Sequence, residues 1–381
     1  VCYSKAVSSR AIANLPGTDA ELAHKLIRLA GTHFHRRRQG ITGPYLLEKQ
    51  ELYNTVLGSQ AVRSAISSED DSKNISYQNA QLQAKKYIDE IAGDYREGLI
   101  RLGDRVLTKI WHKIYNGIEV KNAEKVRMLA QNGHEIIYVP CHRSHMDYLL
   151  LTYVIYHEGL VTPHIAAGIN LNFWPIGGVL RKAGAFFLRR SFAGNKLYTA
   201  VFREYLELLF NKGYSVKYYP EGGRSRTGRL LPPKTGMLAM TLQGLIKGIN
   251  RPVSIVPVYI GYEHVMEVSS YLQELTGSTK KKESIFHIFS AIRKLKNYGY
   301  GFLNFGEPIN LTLLAKSPYS EVSTIPDIGA KKLLENTLKL NKFEVSEDSF
   351  GRIISLRDKN AVPLTYYRNN ILHLFALPGL L

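Results

Sequence analysis

Apolar residues recur every three or four positions at Ile88, Ile91, Tyr95, Leu99, Leu102, Val106, Ile110 and Ile114. That is the repeat of one face of an α-helix, and it predicts a single long helix that Gly117 to Asn122 brings to an end. Val126 to Ala130 predicts a short helix. Leu197, Val201, Tyr205, Leu208 and Leu209 predict an amphipathic helix over Lys196 to Asn211, with Gly213 at its end. Four short apolar runs have the length of strands instead: Glu135 to Pro140, Tyr214 to Tyr219, Ser254 to Ile260, and Gly301 to Phe305. Strands that alternate with helices indicate an α/β fold with a mostly parallel sheet flanked by helices, preceded by a helical N-terminal region. The expected division is a helical region over 1–125, an α/β domain over 126–316 and a C-terminal segment over 317–381.

Composition narrows the partners. The 381 residues are 45% hydrophobic, enough for real cores, and 50 Lys and Arg against 32 Asp and Glu leave a formal charge of +18. Such a chain favours anionic partners: phosphorylated metabolites, an acidic protein, a membrane surface or nucleic acid. The basic residues gather at strand exits and on one N-terminal helix, and no nucleic-acid module is recognisable, which argues against nucleic acid. Two cysteines cannot form a disulfide framework and fit a reducing compartment. No run reaches the 18 or more apolar residues of a membrane-spanning helix. Leu22, Leu26, Leu29, Ala30 and Phe34, beside Lys25, Arg28 and Arg36 to Arg38, fit either a helix lying on anionic lipid or a core-facing helix with a solvated basic side. Both chain ends have the look of cut ends.

The chemistry gathers where strands end, which is where open α/β sheets bind ligands. Cys141-His142-Arg143-Ser144-His145-Met146-Asp147 follows the first strand and puts a base and a carboxylate at its exit. In a regular helix His142 and Asp147 would stand about 140° apart, so they meet only if the chain turns between them. Ser144 and Asp147 have the S-x-x-D spacing of a capping box, which supplies that turn and equally supplies a purely structural role for Asp147. His142-x-x-His145 lacks a second cluster to complete a zinc site. Cys141 reads as a small buried residue more than as a thiolate nucleophile. After Tyr219 comes Pro220-Glu221-Gly222-Gly223-Arg224-Ser225-Arg226-Thr227-Gly228-Arg229, where glycines allow close backbone approach and three arginines offer forks for a phosphate. A glycine-rich surface turn with solvated arginines is the alternative there. Gly184 to Arg190 puts two more guanidinium groups after an apolar stretch.

These blocks together resemble the glycerolipid acyltransferase family, and within it the large membrane-associated bacterial glycerol-3-phosphate acyltransferases. His142-Arg143-Ser144-His145-Met146-Asp147 resembles the family's H-x-x-x-x-D block, Phe186 to Arg190 its second, Glu221 to Ser225 its third and Ile255 to Val258 its fourth. Asn304-Phe305-Gly306-Glu307-Pro308 extends the likeness, which resumes at Asn341 to Val345. The spacer after Pro308 is shorter than the family's, so residues are expected to be missing near Lys316, as they are beyond both ends.

The resemblance implies transfer of a fatty acyl group from acyl-coenzyme A or acyl-acyl carrier protein to the sn-1 hydroxyl of glycerol 3-phosphate. That is the first step of phospholipid synthesis, on the cytoplasmic face of a bacterial inner membrane rich in anionic phospholipid. It calls for no cofactor and no metal. It implies His142 as general base, Asp147 as its orienting carboxylate, and Arg190, Glu221, Gly222, Arg224 and Ser225 as the glycerol 3-phosphate site. Arg143, Arg189, Arg226, Arg229 and Lys234 are further candidates for phosphate or donor contacts, and Phe187 and Pro257 for the acyl-donor side. A lysophosphatidate acyltransferase and a thioester hydrolase using Cys141 are the alternatives.

Overall fold

The computed structural model describes residues 16–44, 48–73, 75–191, 194–229, 231–247, 249, 251–268, 271, 298–311, 343–347, 353–358 and 363–364. The N-terminal part is helical: α1 (Asp19–Thr42), α2 (Lys49–Gly58), α3 (Gln60–Lys73), α4 (Tyr77–Ile91) and α5 (Glu97–Ile114). Thr18 and Glu21 start α1 with a reciprocal capping box, Thr18 N–H donating to the Glu21 carboxylate at 3.0 Å and Glu21 N–H to the Thr18 hydroxyl at 3.4 Å. Leu22 on α1 is half-buried while Leu26 and Ile27 are exposed.

The single long helix predicted from Ile88 to Ile114 is two helices, α4 and α5, split at Ala92–Arg96. The periodicity is continuous but the backbone is needed elsewhere. Asp94 and Arg96 donate their N–H groups to the carbonyls of Arg181 and Lys182, and Gly93 donates to the Tyr205 hydroxyl at 3.1 Å. A Cβ on Gly93 would stand 3.0 Å from the Ala185 carbonyl oxygen, so the close crossing requires glycine.

From there the chain alternates: β1 (Gly117–Lys121), α6 (Ala123–Gln131), β2 (Glu135–Pro140), α7 (Asp147–His157), β3 (His164–Gly168), α8 (Ile176–Lys182), β4 (Ala185–Leu188), α9 (Lys196–Lys212), β5 (Val216–Lys217), α10 (Gly236–Lys247), β6 (Val253–Tyr262), β7 (Tyr300–Phe305) and β8 (Ile309–Asn310). The sheet runs β1-β7-β6-β2-β5-β3-β4, with β8 also pairing β6. Every described ladder in it is parallel except those β6 makes with β7 and β8. Further on, β9 (Phe343–Glu347), β10 (Ile353–Asp358) and β11 (Pro363–Leu364) form a small antiparallel sheet.

Several strands differ from expectation. Gly117 to Lys121 is strand β1 and not merely a helix stop, and β3 and β4 carry too few alternating residues to have been legible. The run Tyr214 to Tyr219 forms a ladder only at Val216 and Lys217, with the Tyr218 N–H still donating to the Tyr138 carbonyl at 3.1 Å. Both sheet faces are covered, which is why β2 and β6 are nearly continuously apolar. Ile137, Val139, Val253 and Ile255 face one core with α9 and the N-terminal helices, while Ile136, Tyr138, Val256, Val258 and Ile260 face another with α7 and the end of α5.

Candidate active site

Strand β2 ends at Pro140, and the chain turns through residues 141–146 before α7 begins at Asp147. The turn is built around the Asp147 side chain, which is fully buried. Its Oδ2 accepts N–H bonds from Arg143 at 2.7 Å and Ser144 at 2.9 Å and meets His142 Nδ1 at 2.9 Å; its Oδ1 accepts from the Tyr262 hydroxyl at 2.8 Å. The structural and the orienting roles of Asp147 are therefore one arrangement: the carboxylate that ties the turn also holds the imidazole. An acceptor-only carboxylate fixes the proton of His142 on Nδ1, which leaves Nε2 with its lone pair. The ring packs against Tyr219, with centroids 4.3 Å apart, and lines a cavity.

The glycine-arginine block clamps this loop through its backbone. Glu221 Oε1 accepts the His142 N–H at 2.9 Å, Ser225 N–H donates to the His142 carbonyl at 2.8 Å, and Glu221 Oε2 accepts the Leu231 N–H at 3.0 Å. Glu221 thus spends an acceptor site of each oxygen on the protein backbone. Gly222 has φ +61, and a Cβ there would lie 2.7 Å from the Lys234 side chain, so glycine lets Lys234 fold over the block. The Ser225 hydroxyl is turned to the Arg229 carbonyl.

Beside this loop opens a cavity of about 1890 Å³, larger than an ordinary small-molecule pocket. Leu99, Leu102, Val106 and Ile110 of α5 line one part with Leu149 and Tyr153 of α7. Arg190, Arg224, Arg226 and Lys234 line another, with Gly222 and Gly223. His142 lines the same space. The structure thus brings His142, apolar side chains and cationic side chains to one cavity.

Other candidates fall elsewhere. Arg189 lines the cavity but is bonded to both Glu90 carboxylate oxygens, at 2.7 and 2.6 Å, and stacked on Tyr87 and Tyr198, so its fork is already used. Arg143 lies over the Tyr259 ring and Arg229 is exposed, both away from the cavity lining. Phe187 is fully buried under Arg181, and Pro257 is buried in β6, where its carbonyl accepts the Gly306 N–H; neither reaches the cavity. These four positions stand outside the cavity lining.

Cys141 is buried, its Sγ accepting the Ile260 N–H at 3.3 Å, and burial pushes its thiol up to about 12. That removes the thiolate a cysteine nucleophile needs. His142 and His145 direct their Nδ1 atoms to Asp147 and to the Tyr148 hydroxyl, not toward a shared metal position.

Sequence reasoning missed Glu267, Tyr271, Tyr262 and Lys217. Glu267 accepts the Ser144 hydroxyl at 2.9 Å and the His145 N–H at 2.9 Å, and lies 3.5 Å from Arg224 Nη1. Tyr271 accepts from Arg224 Nη1 at 2.9 Å and donates to the Arg143 carbonyl at 3.0 Å. Lys217, fully buried, donates to the Tyr148 carbonyl at 3.0 Å and the Thr152 hydroxyl at 2.7 Å. Each is a lone polar residue in sequence, and only the fold gives it a partner; the single signal was a lysine inside an apolar strand.

Comparison with known proteins gives the family. Residues 117–261 match a family described as Acyltransferase, and 271–324 and 311–381 match the glycerol-3-phosphate acyltransferase C-terminal region. The chain is 68% identical to a glycerol-3-phosphate acyltransferase of Pseudoalteromonas atlantica, over all of this chain and 56% of the relative. It is 60% identical to one of Alteromonas mediterranea, over 99% of this chain and 56% of the relative. It therefore spans just over half the length of the curated relatives it matches. The first alignment runs over 458 residues against 381 here, so that relative carries residues inside the matched span that this chain lacks. The expected break near Lys316 lies outside the described residues. Among solved structures, a 1-acyl-sn-glycerophosphate acyltransferase, PlsC, of Thermotoga maritima is 18% identical with a TM-score of 0.36, covering 77% of this chain and 88% of that one.

Proposed function

We propose that this chain, which belongs to the bacterial glycerol-3-phosphate acyltransferase family, is the catalytic part of an enzyme that moves a fatty acyl group from a thioester to the sn-1 hydroxyl of glycerol 3-phosphate. The observation that carries the reading is the 2.9 Å contact of His142 Nδ1 with Asp147 beside a cavity that is apolar on one side and cationic on another. An alcohol attacking a thioester must lose its proton as the new C–O bond forms. His142 Nε2 takes that proton, Asp147 stabilises the resulting imidazolium, and the proton passes to the thiolate that leaves. The substrate hydroxyl is itself the nucleophile, so no acyl-enzyme forms.

The acceptor phosphate is a dianion, and Arg190, Arg224 and Lys234 supply its counter-charge, with Arg226 behind them. The acyl chain lies along the apolar surface of α5 and α7. Acyl-coenzyme A and acyl-acyl carrier protein are the donor classes, and the product is a lysophosphatidate for phospholipid synthesis. We place the enzyme on an anionic inner membrane at its cytoplasmic face. Attachment is peripheral or monotopic in this reading; among the described residues no helix is long and apolar enough to cross a membrane.

The test is an assay with labelled glycerol 3-phosphate and each donor, using wild type and His142→Ala. Transfer to glycerol 3-phosphate that falls about 100- to 10,000-fold in the variant is expected. Transfer to lysophosphatidate but not to glycerol 3-phosphate would replace the acceptor, and thioester hydrolysis without an acceptor would replace the reaction.

A further inference from the structure

The cavity carries more positive charge than one small dianion uses. Among the described residues seven cationic side chains line it, Arg189, Arg190, Lys196, Arg203, Arg224, Arg226 and Lys234, against one carboxylate, Asp104, which is itself paired with His157. Arg189 is neutralised by Glu90, and the glycine-arginine block with Arg190 accounts for the acceptor subsite. Lys196 and Arg203 belong to neither.

Both lie on α9, whose remaining surface explains their direction. Leu197, Val201, Tyr205, Leu208 and Leu209 of that helix are committed to the core. Lys196, Thr199, Ala200 and Arg203 follow at steps of three, four and seven residues, so they share one stripe, and all four line the cavity. Seven residues at 1.5 Å each separate the two cations by about 10 Å along the axis, with only a small residue and a hydroxyl between them. The result is a shallow trough, cationic at both ends. Gln243 of α10 also lines this part of the cavity. The Nε atom of Arg203 is buried and has no hydrogen-bond partner among the described residues. A buried guanidinium nitrogen left unpaired is costly, and an anion drawn into the trough would satisfy it.

We infer that the Lys196–Thr199–Arg203 face of α9 is a second anion subsite, distinct from the acceptor subsite, which binds phosphate groups of the phosphopantetheine-bearing acyl donor. The inference rests on the acyl-transfer reading. Two donors share the chemistry: coenzyme A presents a pantetheine phosphate and nucleotide phosphates, whereas a carrier protein presents the pantetheine phosphate alone. The spacing of two cationic ends suits the more extended nucleotide-bearing group.

Steady-state kinetics on Arg203→Gln and Lys196→Gln, with Arg203→Lys as a charge-keeping control, test it. Loss of one charge-assisted phosphate contact should raise the KM for acyl-coenzyme A about 10- to 100-fold and leave the KM for glycerol 3-phosphate within about twofold. Adenosine 3′,5′-bisphosphate should compete with acyl-coenzyme A in wild type and lose inhibition by a similar factor in Arg203→Gln. If acyl-carrier protein kinetics change equally, the pantetheine phosphate is the group bound; if they stay constant, the nucleotide phosphates are. A raised KM for glycerol 3-phosphate with unchanged donor kinetics would overturn the assignment, as would unchanged kinetics for both substrates, or unaltered bisphosphate inhibition together with unchanged carrier-protein kinetics. Should Arg203→Gln fail to fold, Lys196→Gln and the wild-type competition pattern still decide. Wild type that transfers nothing to glycerol 3-phosphate would instead defeat the functional reading, before any variant is compared.

Discussion

Tyr262 donates its hydroxyl to Oδ1 of Asp147 at 2.8 Å, while the other oxygen of that carboxylate serves His142 and two backbone amides. Burial and the neighbouring carboxylate push the Tyr262 phenol well above its ordinary range, so it remains a donor at any working pH. The strand β6 tyrosine therefore fixes the carboxylate from behind.

Removing that support separates orientation from fold. Tyr262→Phe keeps the ring stack on Tyr115 and deletes one hydrogen bond to a charged group, worth about 1.5–3 kcal/mol. Turnover should fall several-fold with little change in the KM for glycerol 3-phosphate. Asp147→Asn should fall much further, about 1,000-fold or more, because an amide cannot stabilise an imidazolium and its NH₂ would oppose one of the donors now served. Steady-state kinetics with thermal unfolding separates the two effects; equal activities for both variants would contradict the orienting role.

Cys141 gives the opposite expectation. Its thiol is buried and held up near 12, so Cys141→Ala should keep most activity and lose about 1 kcal/mol of stability from a small core truncation. Alkylating reagents should leave the folded enzyme active. Inactivation of Cys141→Ala with its fold intact would restore the thiol mechanism.

Glu267 joins the His142 loop to Arg224, since one carboxylate holds Ser144, the His145 amide and the edge of Arg224. Glu267→Gln should disturb both ends, because it removes the charge that Arg224 faces and, with its oxygen kept on the His145 N–H and Arg224, turns its NH₂ against the Ser144 hydroxyl that Oε2 now accepts. The expected result is a lower turnover together with a KM for glycerol 3-phosphate raised about 3- to 10-fold, on the scale of one weakened charged hydrogen bond. Arg224→Ala should raise that KM further, about 10- to 150-fold, with the smaller change in turnover. A Glu267 variant altered in thermal stability alone would reduce the residue to a packing role.

The residues that were legible in the sequence are those whose chemistry is local. His142 and Asp147 stand five positions apart, and one turn brings them together; Glu221 to Ser225 follow a strand and meet that turn because β5 lies beside β2. Glu267 and Tyr271 are more than 120 positions from the loop they brace, and no spacing encodes such a contact. The same limit explains the split of α4 from α5, where a continuous apolar period is interrupted by bonds to Arg181 and Lys182. Strand β3 was illegible because His164 to Gly168 alternates weakly and owes its conformation to its neighbours β4 and β5. Arg189 shows the converse limit: composition marks it as a candidate phosphate contact, and only the fold shows that Glu90 on α4 pairs with it.

Lys217 carries the last expectation. Its amino group sits beneath the first turns of α7, and desolvation lowers its pKa to about 7, partly offset by the Asp147 charge. In the unfolded chain the same amine stays protonated to about 10.4. Between these values the unfolded state binds the extra proton, so stability rises with pH across that window, is lost as pH falls toward 7, and is insensitive to this group below it. At about 1.36 kcal/mol per unit the whole window spans on the order of 4 kcal/mol. Lys217→Met should abolish this slope, so denaturant midpoints measured from pH 7 to pH 10 should climb more steeply in wild type than in the variant. Parallel profiles would mean that the buried amine keeps its proton, with Asp147 as its counter-charge. In that case Lys217→Met should instead alter the pH dependence of turnover through His142, whose partner would then have lost the cation behind it.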